Sequence, residues 1–396
     1  MSSGAAAAPA PPPPMTGAPL ALVTAVLGFG SFMNILDMSI ANVSVPTIAG
    51  DLGVSYSQGT WVITSYAVSE AIMMPLTGWL ALRFGQVRMF VAATLLFTLA
   101  SLLCGLAPNF PLLVGARVLQ GVFGAAMLPL SQALMVSIYP PQKRGMALGL
   151  WIMTTILAPI VGPLVGGWLT ETFSWRWIFL INLPFGIVVA MLSWQLLQAR
   201  ESERRKLPVD YVGLILLTIG IGTLQILLDK GNELDWFASG TIIALAVTSF
   251  VALAFFVAWE LTEEHPVVDL HLFGRRNFAI GSACLMLGSM AFFGGVVLIP
   301  LWLQTFQGYT GLWAGKVAAF GGVLSIFLSP LIGANIHRVD ARIFATIGFT
   351  VFALVSFWSS NFTPDVDYWT VALSRLLMGI AASCFFLPLV SINLSG

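Results

Sequence analysis

Apolar residues in this chain come in unbroken runs of about 20 positions, joined by short polar or charged connections. They do not alternate one by one with polar residues, as strands of a membrane barrel would. Twelve runs predict twelve membrane-spanning helices, at roughly 20–45, 60–82, 89–107, 111–137, 146–169, 177–197, 210–228, 239–260, 278–303, 313–335, 343–359 and 367–393. The first run is the least uniform. In SFMNILDMSIANVSVP (Ser31–Pro46), helical spacing puts Asn34, Asp37, Ala41 and Ser44 on one side, with Phe32, Ile35, Leu36, Ile40 and Val43 over the rest. This reads as a lipid-facing helix with one polar seam.

The connections alternate in charge. Arg83 and Arg88 follow the second run, Lys143 and Arg144 the fourth, Arg200, Arg204, Arg205 and Lys206 the sixth, Arg275 and Arg276 the eighth, and His337, Arg338 and Arg342 the tenth. The opposite loops carry Asp51, Glu171, Asp229, Glu233, Asp235, Asp365 and Asp367, with Arg176, Lys230 and Lys316 as exceptions. Lys316 sits near the outer end of its run and is expected to reach back to the surface. Cationic loops stay in the cytoplasm, so the N-terminus is expected there.

A repeat organises the runs. Gly53, Pro75, Gly78 and Arg83 recur as Gly308, Pro330, Gly333 and Arg338 at an offset of 255, and Arg117 and Gly121 recur as Arg375 and Gly379 at 258. Internal repeats of this kind are the plan of many secondary transporters, whose sites lie at the interface of two halves. The expected division is a tail at 1–19, a six-helix half at 20–198, a linker with two extra helices at 199–276, and a second half at 277–396 holding four of six helices. Twelve spans are thus present of fourteen expected, the last two lying beyond this chain.

Composition narrows the class. Hydrophobic residues make up 58% and charged residues 9%, far from the roughly 25% charge of soluble domains. The chain is an all-α polytopic membrane protein. Net charge is zero, which argues against nucleic acid as a partner. Cys104, Cys284 and Cys384 lie in apolar runs, and His265, His271 and His337 fall in loops without metal-ligand spacing, so neither a disulfide framework nor a metal site is expected. HExxH, GxSxG and GxxxxGK[ST] are all absent, so the chain reads as no enzyme, has no cofactor and has no ATP site.

Three ionisable side chains of the first half stand well inside runs: Asp37, Glu70 and Arg117. A charge at such a depth costs about 2.5–3.5 kcal/mol on insertion scales, and it marks a functional or paired residue. Glu70 lies near the middle of its run, and Asp37 and Arg117 about 6 and 10 Å toward the outer face at a rise of about 1.5 Å per residue. Tyr66 and Thr77 extend the stripe of Glu70, and Gln120, Gly121, Gly124 and Ser131 that of Arg117. These faces are expected to line a water-filled path. A carboxylate there can take up a proton or a cation in competition; it can also simply pair with Arg117 or cap a broken helix.

The order of several motifs is similar to one family. LDMSIANVSVPTIAG (Leu36–Gly50), PLTGWLALRFGQVRMF (Pro75–Phe90), RVLQGVFGAAMLPLSQAL (Arg117–Leu134), APIVGPLVGGWL (Ala158–Leu169) and SWRWIFLINLPFG (Ser174–Gly186) resemble the fourteen-helix drug:proton antiporters of the major facilitator superfamily, above all its EmrB-type multidrug exporters of Gram-negative bacteria. The resemblance implies the major facilitator fold and proton-driven export of lipophilic or cationic drugs through the bacterial inner membrane, with an EmrA-like periplasmic adaptor and an outer-membrane channel as partners. It implies a role in cation recognition or proton coupling for Asp37 and in proton transfer for Arg117; Asn34 and Gln120 on their polar faces, and Glu70, which lies outside the core motif, are expected to share the coupling or substrate role. It marks Gly162, Pro163, Gly166 and Gly167 as an antiporter signature and Gly78, Arg83, Gly85 and Arg88 as a cytoplasmic gate loop. One position departs: the acid the superfamily usually carries four residues after Gly78 is Leu82 here. Export of one metabolite or siderophore would use the same fold. A half lacking two spans exposes interface that lipid does not match, so this 396-residue chain alone is expected to transport poorly, to be checked by comparing its transport with that of a version extended by two helices.

Overall fold

A computed structural model of the chain describes residues 14–204, 208–336 and 338–395. The expected tail lies outside the described residues as far as residue 13, as do Arg205, Lys206 and His337. Helix begins at Gly17, three residues earlier than the sequence suggests.

All regular structure among the described residues is helical. The spans are one (Gly17–Asp51), three (Gln86–Leu106), five (Arg144–Thr172), six (Asn182–Leu197), seven (Tyr211–Lys230), eight (Gly240–Glu260), nine (Arg276–Phe306), ten (Gly311–Asn335), eleven (Ala341–Ser359) and twelve (Tyr368–Ser395). Span four is two helices, Phe110–Gly124 and Met127–Ile138, bent at Ala125–Ala126. Eleven of the predicted twelve are long and apolar enough to cross a membrane as described. Span two is the exception because it is broken, into Trp61–Met73 and Thr77–Phe84. Pro75 has no N–H to donate, and Leu76 and Thr77 close tighter turns onto the carbonyls of Met73 and Met74, both at 3.1 Å.

Spans one to six pack on one another, and so do nine to twelve; the two groups meet where span five lies against spans ten and twelve. Spans seven and eight form a hairpin laid on span two. Its two ends are tied down separately. At one end the Thr64 hydroxyl donates to Asp229 (2.8 Å); at the other the Trp79 indole donates to the carbonyl of Pro208 (3.0 Å).

Span one is more enclosed than its pattern suggests, although Leu22 and Met38 remain exposed and Phe32, Ile35 and Val43 half-exposed. Leu36 and Ile40 are buried along with Asn34, Asp37, Ala41 and Ser44, because spans four, five and six close around the helix on several sides. Asn34, Asp37, Ala41 and Ser44 are buried as a seam, and Leu36 and Ile40 beside it are buried in protein as well.

The crossing of spans five and ten is close enough to admit only small residues. A Cβ at Gly149 would stand 2.6 Å from the carbonyl oxygen of Ser329 and 3.1 Å from a Leu387 methyl. Lipid offers apolar surface as readily as protein does, so close backbone approach is a main source of helix association in a membrane. Gly149→Leu is therefore expected to lower stability by about 1–3 kcal/mol, read as a lower midpoint of thermal unfolding in detergent. Gly115→Leu, where nothing lies within 4 Å of the added carbon, should leave that midpoint in place.

Candidate functional site

Four polar side chains from three helices meet around Asp37. Span one sets its carboxylate inward, where Arg117 of span four donates Nη1 to Oδ2 at 2.5 Å. The other oxygen, Oδ1, accepts from the Gln120 amide of span four (2.9 Å) and the Asn182 amide of span six (2.7 Å). Ser101 of span three completes the circle: its hydroxyl accepts from both amides, at 3.1 and 3.0 Å, and donates to the carbonyl of Phe179 at 2.9 Å.

Arg117 has further partners at Nε and Nη1, while its Nη2 is buried without a hydrogen bond among the described residues. Nε donates to the carbonyl of Val62 at 2.8 Å, and Nη1 also reaches Gln120 Oε1 at 2.7 Å. The guanidinium carbon stands 4.3 Å from the centre of the Tyr66 ring and 5.5 Å from that of Phe179. Both side chains of the ion pair are fully buried. The expected water-filled path is therefore closed at this level, because rings and amides occupy the space that water would need. A buried pair of this kind contributes little net stability when intact, yet loss of one partner strands a charge.

Glu70 belongs to a neighbouring group and does not touch the ion pair. It accepts from the Tyr66 hydroxyl at 3.3 Å, and that hydroxyl accepts from the Asn34 amide at 2.9 Å. Asn34 also reaches the carbonyl of Gly124 at 3.3 Å. Tyr66 thus joins the two groups, its hydroxyl toward Glu70 and its ring against Arg117. Glu70 is half-buried, whereas Thr77, expected on the same stripe, lies beyond the break at Pro75 and shares no bond with it. Farther along span one, Ser31 meets Ser131 at 2.6 Å and both accept from the Trp151 indole at 3.0 Å.

The glycine stretch of span five docks beside this core. Pro163 cannot donate to the carbonyl four residues back, that of Pro159, and the Ser39 hydroxyl takes its place at 3.1 Å. A Cβ at Gly166 would stand 2.9 Å from the carbonyl oxygen of Ile40, and one at Gly162 would collide with Ser39. Gly162, Pro163 and Gly166 therefore press span five onto the turn of span one that follows Asp37. Gly167 has open space at the same position.

The expected gate loop is a tight reversal between spans two and three. Gly85 takes a φ of +97°, a conformation that side chains other than glycine avoid. Span three then starts with free N–H groups, and Glu201, from the segment after span six, accepts those of Val87 and Arg88 at 3.0 Å each. Ser202 accepts that of Gln86 at 3.0 Å, and the Arg88 side chain lies 3.8 Å from Glu201. Arg83 stacks 5.2 Å over the Trp79 ring, and Gly78 is exposed. Leu82, where the superfamily's acid usually stands, is also exposed.

Sequence reasoning did not single out Asn182, Ser101, Tyr66 as a bridge, Ser39 or Glu201. Asn182 had a signal, as a lone amide in an apolar run within SWRWIFLINLPFG. Ser101 and Ser39 had none, since isolated serines are common in membrane helices. Lys316 is exposed, its ammonium 4.2 Å from the centre of the Trp313 ring.

Comparison with known proteins gives a consistent placement. The sequence profile of the Major Facilitator Superfamily matches residues 27–394. The multidrug export protein EmrB of Haemophilus influenzae is 50% identical over 384 residues, 97% of this chain and 75% of that protein. The fatty acid resistance protein FarB of Neisseria gonorrhoeae is also 50% identical, over 382 residues, 96% of this chain and 75% of that one. EmrB of Escherichia coli K12 is 47% identical over 97% of this chain and 75% of its own length. Among solved structures, the proton:xylose symporter XylE superposes with a TM-score of 0.62 at 18% identity, over 95% of this chain and 81% of that one, which speaks for the fold alone.

Asp37→Asn and Arg117→Gln should each lower the free energy of unfolding in mixed micelles by about 3 kcal/mol or more. The double variant should cost clearly less than the two together, because it leaves no uncompensated charge. Additive losses would mean that the pair is not coupled.

Proposed function

The chain belongs to the major facilitator superfamily, and on that premise we propose that it is a proton-coupled antiporter that exports lipophilic or cationic drugs across the bacterial inner membrane. The observation that carries this reading is the 50% and 47% identity, over 97% of the chain, to two proteins named for multidrug export. The relative named for fatty acid resistance supports a lipophilic substrate. With the basic loops inside, the N-terminus is cytoplasmic. Residues 20–198 and 277–396 act as the two halves that rock against each other at the crossing of span five with spans ten and twelve, and 199–276 rides on the first half through span two. An EmrA-like periplasmic adaptor and an outer-membrane channel carry the substrate onward.

Asp37 is the coupling carboxylate in this reading. As an anion it is an acceptor for Arg117, Gln120 and Asn182 at once. Protonation turns one oxygen into a donor and removes the counter-charge of Arg117, whose burial is then unfavourable. The closed arrangement of spans one, three, four and six loses its main tie, and a second arrangement in which Arg117 finds another partner gains population. Glu70, half-buried and linked through Tyr66, exchanges protons or meets the positive end of a cationic drug. The Gly162–Gly167 stretch lets span five slide on span one and seals it against proton leak. Gly78, Arg83, Gly85 and Arg88, with Glu201 on the start of span three, latch the cytoplasmic side. A metabolite or siderophore exporter would keep this machinery and change only the cavity.

The test is efflux from everted membrane vesicles driven by an imposed pH gradient. Asp37→Asn is expected to reduce gradient-driven drug movement about tenfold or more, with drug binding retained, and an uncoupler should raise drug accumulation in cells that express the protein. Undiminished coupled efflux by the Asn variant would overturn the assignment of Asp37, and indifference to the uncoupler would overturn proton drive.

A further inference from the structure

The hairpin of spans seven and eight carries an acid at each of the two ends that meet. Asp210 caps span seven, and Glu260 is the last residue of span eight. Asp210 Oδ1 accepts from the Gly213 N–H at 2.8 Å and from the Trp259 indole at 3.0 Å, and Glu260 Oε2 accepts from the Val268 N–H at 3.1 Å. The second oxygen of each acid, Asp210 Oδ2 and Glu260 Oε1, is buried without a hydrogen bond among the described residues. A Cβ at Gly213 would collide with both, so the two oxygens flank one point and only glycine leaves room for them.

Glu260 is 0% exposed, and neither acid forms an ion pair among the described residues. The charged groups that act on Glu260 are Asp210 and Glu263, both acids. Asp269, next to Val268, pairs with His271, and Arg83 of span two stacks on Trp79, whose indole holds the carbonyl of Pro208. Both unpartnered oxygens are already covered, so a partner must come from within this end of the hairpin and not from a segment packed on its outside. Two ionised carboxylates here would repel each other and keep two bare acceptors out of water. One proton removes both costs, because a carboxyl O–H on either acid donates to the facing oxygen of the other.

We propose that Asp210 and Glu260 bind one proton between them, forming a proton site in the extra hairpin that is separate from Asp37 and Glu70. The proton bonds the start of span seven to the end of span eight. Its loss leaves two facing anions, which push these ends apart and loosen the stretch from Pro208 to Gly213 that Trp79 ties to span two. With the basic loops inside, both acids lie on the cytoplasmic side, so a rise in cytoplasmic pH opens this end of the hairpin. The site needs no transport activity and stands apart from the export reading.

The test is the infrared band of protonated carboxyl groups in the 396-residue chain in nanodiscs at about pH 7, compared with Asp210→Asn and Glu260→Gln. A shared proton predicts one carboxyl fewer in each variant, because the amide that replaces either acid supplies the donor and leaves the other acid ionised. Glu264→Gln, at an exposed acid nearby, should leave the band unchanged. A loss confined to one of the two variants would assign the proton to a single acid and overturn the sharing, as would no loss in either.

Thermal unfolding gives a second readout. The folded chain keeps a proton that carboxyls of the unfolded chain release at about pH 4. The contribution of the pair is therefore whole below that value and falls as pH rises until the proton leaves. Between pH 5 and pH 9 the midpoint of the unaltered chain is expected to fall by about 2 °C or more relative to that of Glu260→Gln; parallel midpoints would overturn the proposal. If neither amide variant folds, the unaltered chain decides. A midpoint at neutral pH that does not respond to Mg²⁺ or Ca²⁺ supports the proton, and one that rises with either ion marks a metal site in its place and sinks the proposal.

Discussion

The Arg117–Asp37 ion pair is the constraint around which the first half is built. Two full charges buried among membrane helices need partners, and those partners draw on most of the half: spans one and four for the charges, two for the Val62 carbonyl, three for Ser101, six for Asn182, although Arg117 Nη2 is left without a hydrogen bond among the described residues. Each helix must hold its register to within a hydrogen bond. That requirement accounts for the complete burial of side chains that would otherwise be avoided in an interior.

The same requirement makes the arrangement poised. A network in which one atom, Asp37 Oδ1, collects two amides and its partner oxygen collects an arginine has little slack. Span five, held on the next turn of span one by Ser39 and the close approach at Gly166, also carries the contact with spans ten and twelve. The charged core and the junction of the two helix groups are therefore one helix apart.

Comparison of the halves shows how a repeat diverges. Pro75 and Pro330 occupy matching positions, yet only Pro75 breaks its helix; span ten runs through Pro330, braced along span five where Ser329 lies against Gly149. Arg117 and Arg375 match as well, but one pairs with a buried carboxylate and the other with the hydroxyls of Ser359 and Ser374. Identical residue types meet different surroundings because their neighbours on other helices differ.

Hydrophobic run length and the repeat were enough to read a polytopic helical membrane protein in the sequence, with spans placed to within a few residues, because each of those signals is local; the superfamily came from the resemblance of its motifs. Asp37, Glu70 and Arg117 were legible as costly charges for the same reason: the cost depends on depth in a run, which the sequence displays. What only the tertiary structure decided is who answers whom. Asp37 and Arg117 stand 80 positions apart, Asn182 is 145 from Asp37, and Glu201 reaches back 114 to Val87. Such pairings depend on helix rotation and tilt, which side-chain packing sets and hydropathy does not encode. For that reason the seam on span one was visible while its enclosure was not, and Glu70 was grouped with a pair that it meets only through Tyr66.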